Sequence, residues 1–402
     1  MKHVVIGAGQ AGAALVAKLR SLDAEAEITL LGSEPVPPYQ RPPLSKKYLM
    51  GEMELERLYL RPARFYEEQR IDLRTSATVA RIDRDAQEVE LEGGERLPYD
   101  RLALTTGSRP RLLPAGIGGD LGRVYPVRSL EHIDAMVHEF AEGARCLIVG
   151  GGYIGLEAAA VAASRGLKVT LVEAMDRILQ RVASVETSNY FRTLHQGHGV
   201  EIREGTGLVR LTGEGDVTGA DLSDGSTLDV DFVLVGIGIL PEDDLAAAAG
   251  LTIENGIAVD AQCRTSDPAI FAAGDCASFP WQEGARIRLE SVPNAIDQAE
   301  VAAANMAGGE EDYVAVPWFW SDQFDVKLQI AGLNTGHDRT VLRPGARPGA
   351  QSVWYYRGDR LVALDAMNEP RAYMIGKRLI DAGRSIPPET AADANADLKA
   401  LL

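Results

Sequence analysis

The stretch HVVIGAGQAGAALVAKL, residues 3–19, decides the fold class. A short apolar run ends at a cluster of glycines and a helical pattern starts at once, so the order is strand, tight turn, helix. In Gly7-Ala8-Gly9-Gln10-Ala11-Gly12 each glycine has its own task. Gly7 permits the turn and Gly9 leaves room for a pyrophosphate. Gly12 lets helix and strand pack closely, and the helix amino terminus is presented to negative charge. The next expected strand, AEITLLGSE, puts Ser33 and Glu34 at its carboxyl end. That is about 20 residues past the last glycine, where an acid commonly holds an adenosine ribose.

The same order returns in ARCLIVGGGYIGLEAAAVAASRGLKVTLVE, residues 144–173, with Gly150, Gly152 and Gly155 at the same spacing. Tyr153 and Ile154 stand between the glycines, and Glu173 closes the second strand. One glycine pattern is a weak signal, but two with strand, helix and terminal acid in register predict two dinucleotide sites. A third signal is CRTSDPAIFAAGDCA, residues 263–277, where an expected strand ends in Gly274-Asp275. In an oxidoreductase with two nucleotides such a strand returns to the first domain, and Asp275 is the candidate acceptor for the ribityl chain of a flavin. Read alone, Gly-Asp is also ordinary turn chemistry.

Composition narrows the class. At 402 residues and 46% apolar content the chain can bury more than one core. A net charge of −17 opposes wrapping nucleic acid or lying on an acidic membrane, both of which need a basic surface. No apolar run approaches the length of a membrane span, and MKHVVIGAG leads directly into a strand, so a cytoplasmic protein is expected. Cys146, Cys263 and Cys276 have no close-pair spacing, so neither a metal site nor a dithiol relay is expected.

The succession GAGQAG, PYQRPPLSK, LALTTGSRP, GGGYIGLE, VLVGIGILP, AAGDC, RLESVPNAIDQAE and PWFWSDQFDVKLQIAG resembles the FAD-dependent, NADH-using ferredoxin reductases. Those enzymes serve bacterial cytochrome monooxygenases and aromatic-ring oxygenases; apoptosis-inducing factor is a more distant relative. The resemblance runs from end to end. It implies an α/β fold of two Rossmann-like domains, as in glutathione reductase, plus a C-terminal α+β domain. The expected order is FAD domain 1–110, NADH domain 111–239, return of the FAD domain 240–312 and C-terminal domain 313–402.

The resemblance also assigns roles. Where disulfide reductases carry a cysteine pair beside the flavin, this chain has Arg41, Pro42, Pro43 and Lys46. The prolines hold the segment in one shape. Arg41 is expected at the FAD pyrophosphate and Lys46 near flavin N5, paired with Glu157. Ala11 and Val79 become backbone contacts to FAD, Thr106 and Gly107 close the return strand, and Arg128 contacts the flavin. Gly238 belongs to the VLVGIGILP motif, and Glu290 and Val292 lie at flavin and nicotinamide. Tyr153 is expected to shield the flavin until nicotinamide arrives. Glu173 is expected to hold the NADH ribose and to repel the extra phosphate of NADPH. By resemblance Trp320 is placed near the flavin, whereas Trp318 and Phe319 are expected in the core as large apolar side chains.

Ser33 stands where relatives often have the ribose acid, leaving Glu34 as substitute, and Pro293 takes a place usually polar. The implied acceptor is a [2Fe-2S] ferredoxin, met by a monomeric reductase. Residues 321–402 hold 11 Lys and Arg against 10 Asp and Glu, so Arg371, Lys377 and Arg378 are candidates for a docking face. A rubredoxin or small-acceptor reductase, or an NADH-responsive binding protein, uses the same motifs.

Overall fold

The apolar run Lys2–Ile6 is the middle strand of a five-stranded parallel sheet, and a computed structural model describing residues 1–401 gives its neighbours. Ile6 sits opposite Leu31 of the strand Glu27–Leu31 and Leu104 of the strand Arg101–Leu104. Ile71–Arg74 and Ile270–Ala272 are the outer strands, all running parallel. Both faces of such a sheet are covered, which is why its strands read as continuous apolar runs. The helix Gln10–Leu22 lies on one face, and its Leu15, Val16 and Leu19 share a core with Ala299, Ala302 and Ala303 of the helix Val292–Met306. Small alanines there let the helices approach closely. Each fully buried Leu or Val adds roughly 1.5–3 kcal/mol.

The second motif builds a second five-stranded parallel sheet. Its middle strand Arg145–Val149 is flanked by Lys168–Glu173 and Phe232–Val235, with Glu201–Glu204 and Val124–Pro126 outermost. Each parallel sheet is accompanied by a three-stranded antiparallel one: Val79–Asp83, Glu88–Leu91 and Arg96–Pro98 for the first, Leu208–Thr212, Gly219–Leu222 and Thr227–Asp229 for the second. The end of the chain forms a five-stranded antiparallel sheet with Trp318–Gln323 at one edge. The helix Pro370–Asp381 covers it, burying Ile375 and Leu379 against Trp354, Tyr356 and Leu364. The expected fold class, two Rossmann-like domains and a C-terminal α+β domain, is what the chain forms.

Contacts divide the chain into two compact units. One comprises Met1–Arg41, Met53–Arg109 and Ile239–Pro317; the other Pro42–Glu52, Pro110–Gly238 and Trp318–Leu402. The second parallel sheet and the C-terminal sheet thus fall in one unit, and so does the short proline-led segment that carries Lys46.

Among the described residues no helix is long and apolar enough to cross a membrane, and no three His, Cys, Asp or Glu side chains gather as a metal site. Trp318 and Phe319, expected in the core, are instead half-buried. Their strand is a sheet edge, and Trp318 and Trp320 stack on each other with centroids 5.6 Å apart.

Candidate functional site

In the first unit, the glycine turn closes as its spacing requires. Gly7 has φ +110°, and a Cβ there would lie 2.2 Å from the Thr105 carbonyl oxygen of the neighbouring strand end. A Cβ on Gly12 would lie 2.1 Å from the Gly7 carbonyl oxygen, so helix and turn touch. A Cβ on Gly9 would meet nothing within 4 Å. Gly9 is the N-cap of the helix and offers no side-chain cap, so the first-turn N–H groups stay available. A cradle of this shape fits an anionic dinucleotide. Gln10 opens the helix half-buried, and Ala11 is buried beneath Gly274, whose Cβ would come 3.1 Å from that of Ala11. The Gly-Asp strand end therefore reaches the first glycine turn.

Around that cradle the expected polar residues mostly hold one another. Asp275 accepts from the Ser108 hydroxyl at 2.9 Å. Thr106 donates to the Glu242 carbonyl, whose N–H in turn donates to the Gly107 carbonyl at 2.9 Å. Glu34 accepts from Arg41 at 2.6 Å and from the Tyr39 hydroxyl at 2.5 Å, while Ser33 is exposed. Glu34 and Arg41 were expected on ribose and pyrophosphate; here each engages the other, with both side chains about one-third exposed at 32% and 31%. Val79 starts a strand beside the Gly32–Glu34 turn, since Ala77 N–H donates to the Gly32 carbonyl at 2.8 Å. Glu290 is exposed and pairs with Arg288 at 2.6 Å, and Val292 begins the helix that Ser291 caps. Pro293 is buried at that helix's first turn, where its missing N–H costs nothing.

The second unit repeats the turn. Gly150 has φ +108° with a hypothetical Cβ 2.4 Å from the Gly236 carbonyl oxygen, Gly155 meets the Gly150 carbonyl at 2.1 Å, and Gly152 is open within 4 Å. Gly152 caps the helix Tyr153–Ser164 without a side-chain bond. Glu173 accepts from Gly151 N–H at 2.8 Å and from Met175 N–H at 2.9 Å, so the strand-end acid braces the turn. Arg177 donates to the carbonyls of Ser184, Gln180 and Ala183 and to Ser188, which occupies its guanidinium. Gly238 has φ +106°, with Arg111 and Arg181 side-chain atoms 3.8 Å from where its Cβ would stand. Ile154 is exposed, Arg128 half-buried.

Tyr153 is half-buried, its ring 5.3 Å from that of Phe319, and burial of its hydroxyl pushes that group well above the usual range. Trp320, 6.3 Å from Phe319, is half-buried in the same aromatic group.

Lys46 meets Glu157 within this unit. The turn Leu44–Tyr48 is interrupted at Lys46, whose φ −131° and ψ −109° are not helical, and the Pro43 carbonyl accepts from Lys46 N–H at 3.1 Å. The break turns the ammonium to Glu157 Oε1 at 2.9 Å, with Asp322 Oδ2 at 3.5 Å. Side-chain exposures of 16% and 10% make this a buried pair. Burial pushes the Glu157 carboxyl up, opposed by the Lys46 ammonium and then by the Ser321 hydroxyl, which donates to Oε1 at 2.7 Å.

All three cysteines are buried and free, and burial pushes their thiols up, which makes them poor nucleophiles. On the helix Pro370–Asp381, Lys377 pairs with Asp381 at 2.6 Å, and Arg371 pairs with Asp397 at 3.4 Å. Two of the three cations expected to face a partner are thus matched by acids of this chain. Sequence reasoning missed Ser321 and Gln323. Both lie on the inward side of the strand WFWSDQ, where alternation leads one to expect apolar side chains.

Two family models match the chain. Residues 1–299 match pyridine nucleotide-disulphide oxidoreductase and residues 318–402 match reductase C-terminal. Rhodocoxin reductase of Rhodococcus erythropolis is 43% identical over 99% of this chain and 94% of its own length. Putidaredoxin reductase of Pseudomonas putida is 40% identical over 99% and 96%. The crystal structure of the covalent putidaredoxin reductase–putidaredoxin complex is similar with a TM-score of 0.95 at 40% identity, covering 99% of this chain and 97% of that one.

Proposed function

This chain belongs to the pyridine nucleotide-disulphide oxidoreductase family, and on that premise we propose that it passes electrons from NADH through FAD, singly, to a [2Fe-2S] ferredoxin supplying an oxygenase. It is an oxidoreductase whose cofactors are FAD and NAD(H). Bound flavin supplies two-electron acceptance from nicotinamide and one-electron release. The glycine turn at Gly7, Gly9 and Gly12, with Asp275, Thr106, Gly107, Arg41 and Val79, holds FAD; the turn at Gly150, Gly152 and Gly155, with Glu173 and Gly238, holds NADH. The functional order is 1–110, 111–239, 240–312 and 313–402, with the protein in the cytoplasm.

The observation that carries this reading is the Lys46–Glu157 pair at 2.9 Å in a family whose name refers to a disulphide. A redox dithiol beside a flavin needs two accessible sulfurs, whereas the three cysteines of this chain are buried and free. The proline-led segment instead delivers an ammonium, and Glu157 fixes its position. A held cation favours negative charge developing near it, at little reorganisation cost. Electrons then leave without a sulfur relay.

The experiment is anaerobic reduction of the FAD-loaded protein with NADH, followed by addition of a [2Fe-2S] ferredoxin. Reduction of the iron–sulfur centre in one-electron steps is expected. A reduced flavin that passes no electron to any [2Fe-2S] ferredoxin, while reducing a rubredoxin or a small quinone, refutes the acceptor assignment.

A further inference from the structure

The hydrogen bonds around Glu157 extend well past Lys46. Ser321 Oγ donates to Glu157 Oε1 at 2.7 Å, Gln323 Nε2 donates to Ser321 Oγ at 3.2 Å, and Gln323 Oε1 lies 2.8 Å from His195 Nε2. Ser321, Gln323 and His195 are completely buried. The links come from three elements: the helix Tyr153–Ser164, the edge strand Trp318–Gln323 and the helix Val185–Gly197.

The direction of this chain follows from donor chemistry. An ionised carboxylate only accepts, so Ser321 spends its single proton on Glu157 and its oxygen must accept from the Gln323 amide. With the amide nitrogen aimed at Ser321, the Gln323 carbonyl faces His195, so His195 carries its proton on Nε2. Its Nδ1 is buried and has no partner. That leaves no acceptor for a second proton, in line with burial lowering His195 to about 4. The amide passes no net proton without changing its bonding, so these residues orient one another and do not conduct protons.

We infer that His195, Gln323 and Ser321 are positioning residues that aim every hydrogen-bond dipole at the Glu157 carboxylate, with the Nε2–H tautomer of His195 setting the direction. Without His195 as donor, the Gln323 amide is released to turn its carbonyl toward Ser321. Ser321 then donates to Gln323, and Glu157 loses a bond that favours its charge. The other charged or titratable groups facing this chain are Lys46 and Asp322 at the Glu157 end and His198 at the other. His198 stacks on Phe324 at 3.8 Å, and Phe324 meets the His195 ring edge-on at 5.0 Å. The kinetic consequence rests on the proposed role of Lys46 and Glu157; the direction of the hydrogen bonds does not.

The test uses FAD-loaded protein. Nitrogen-15 NMR of the histidines reads the His195 tautomer in the unsubstituted protein, and Nε2–H persisting through about pH 6 is expected. Titration of carbon-13-labelled glutamate carboxyls, assigned with Glu157→Gln, then follows Glu157 in His195→Leu, His195→Gln and Ser321→Ala. The midpoint rises in His195→Leu and Ser321→Ala and returns toward its original position in His195→Gln, whose amide restores a neutral donor. Flavin reduction by NADH slows about tenfold in the two deleting variants, the size expected for one charge-assisted bond. An Nδ1–H tautomer, a His195 that titrates near its ordinary value, or a Glu157 midpoint indifferent to His195→Leu overturns the inference. If the midpoints shift as stated while Glu157→Gln and Lys46→Ala reduce at the original rate, the hydride-site role falls and the positioning chain stands.

Discussion

Replacing Asp365 by asparagine should change how the stability of this protein depends on pH, by an amount the structure fixes. Asp365 is 1% exposed on the strand Arg360–Met367, and its Oδ2 accepts from the Thr187 hydroxyl at 2.7 Å and from the Tyr355 hydroxyl. Tyr355 also accepts from Ser184 N–H at 3.0 Å, one residue before the helix Val185–Gly197. Burial outweighs those two donors and the more distant His337, and raises the carboxyl from 3.8 to about 6. The native state therefore holds this proton more tightly than the unfolded chain does. The stabilisation is complete below about pH 4 and is lost as the pH rises through about 6. A shift of about two units, at 1.36 kcal/mol each, is about 3 kcal/mol.

Asparagine keeps an oxygen to accept from both hydroxyls and never ionises. The assay is thermal unfolding of the FAD-loaded protein and of Asp365→Asn from about pH 4 to 7, taken as variant minus parent. The burial that also raises Glu157 acts alike in both proteins and cancels. The difference should move in favour of the variant by about 3 kcal/mol as the pH rises, with the change centred between pH 4 and 6. A difference that stays flat across the range refutes the premise that this carboxylate is charged and buried.

Gly9→Ala should fold normally, because its methyl meets no protein atom within 4 Å, and yet bind FAD more weakly; Gly12→Ala, with a methyl 2.1 Å from a carbonyl oxygen, should lose both flavin and thermal stability. Flavin absorbance per chain and the unfolding midpoint separate the two outcomes. Lys46→Ala strands Glu157 as a buried unpaired charge at a cost of about 3–5 kcal/mol, so it should be less stable as well as slower in flavin reduction, with FAD retained. Stopped-flow reduction by NADH checks it. Glu173→Ala removes the acceptor for two turn N–H groups and a charge expected to repel NADPH. The KM for NADH should rise while discrimination against NADPH falls, read from kcat/KM for each coenzyme.

The two glycine turns were fully legible because each demand on them is local. A positive φ at Gly7 and Gly150 and the close approach at Gly12 and Gly155 follow from spacing alone. The return of the Gly-Asp strand to the first glycine turn was legible from motif order, since that strand pairs in parallel with Arg101–Leu104 and brings Gly274 to Ala11. What was not legible depends on partners far apart in the chain. Ser321 and Gln323 stand where alternation favours apolar side chains, and only the approach of Glu157 and His195 from two helices gives them polar partners in that interior. Trp318 and Phe319 were expected in a core by size, but an edge strand leaves one flank uncovered. The acid that meets Arg371 lies 26 residues away, beyond any helical pattern.

Residues Pro42–Glu52 follow the first nucleotide strand in sequence, but by contact they belong to the unit built around the second glycine turn. A flexible chain would pay heavily to hold a lysine there, since each ordered residue costs roughly 1–2 kcal/mol of backbone entropy. Pro42 and Pro43 arrive with φ already fixed, and the Pro43 carbonyl takes the N–H groups of both Lys46 and Tyr48. Tyr48 then ties the segment to Asp134 at 2.9 Å. The rigid backbone is what allows Lys46 its non-helical conformation and its buried acid partner. Cysteines would need no such bracing, because a disulfide fixes its own geometry. An ammonium does need it, and the stiffness of PYQRPPLSK is what holds Lys46 against its buried acid partner Glu157.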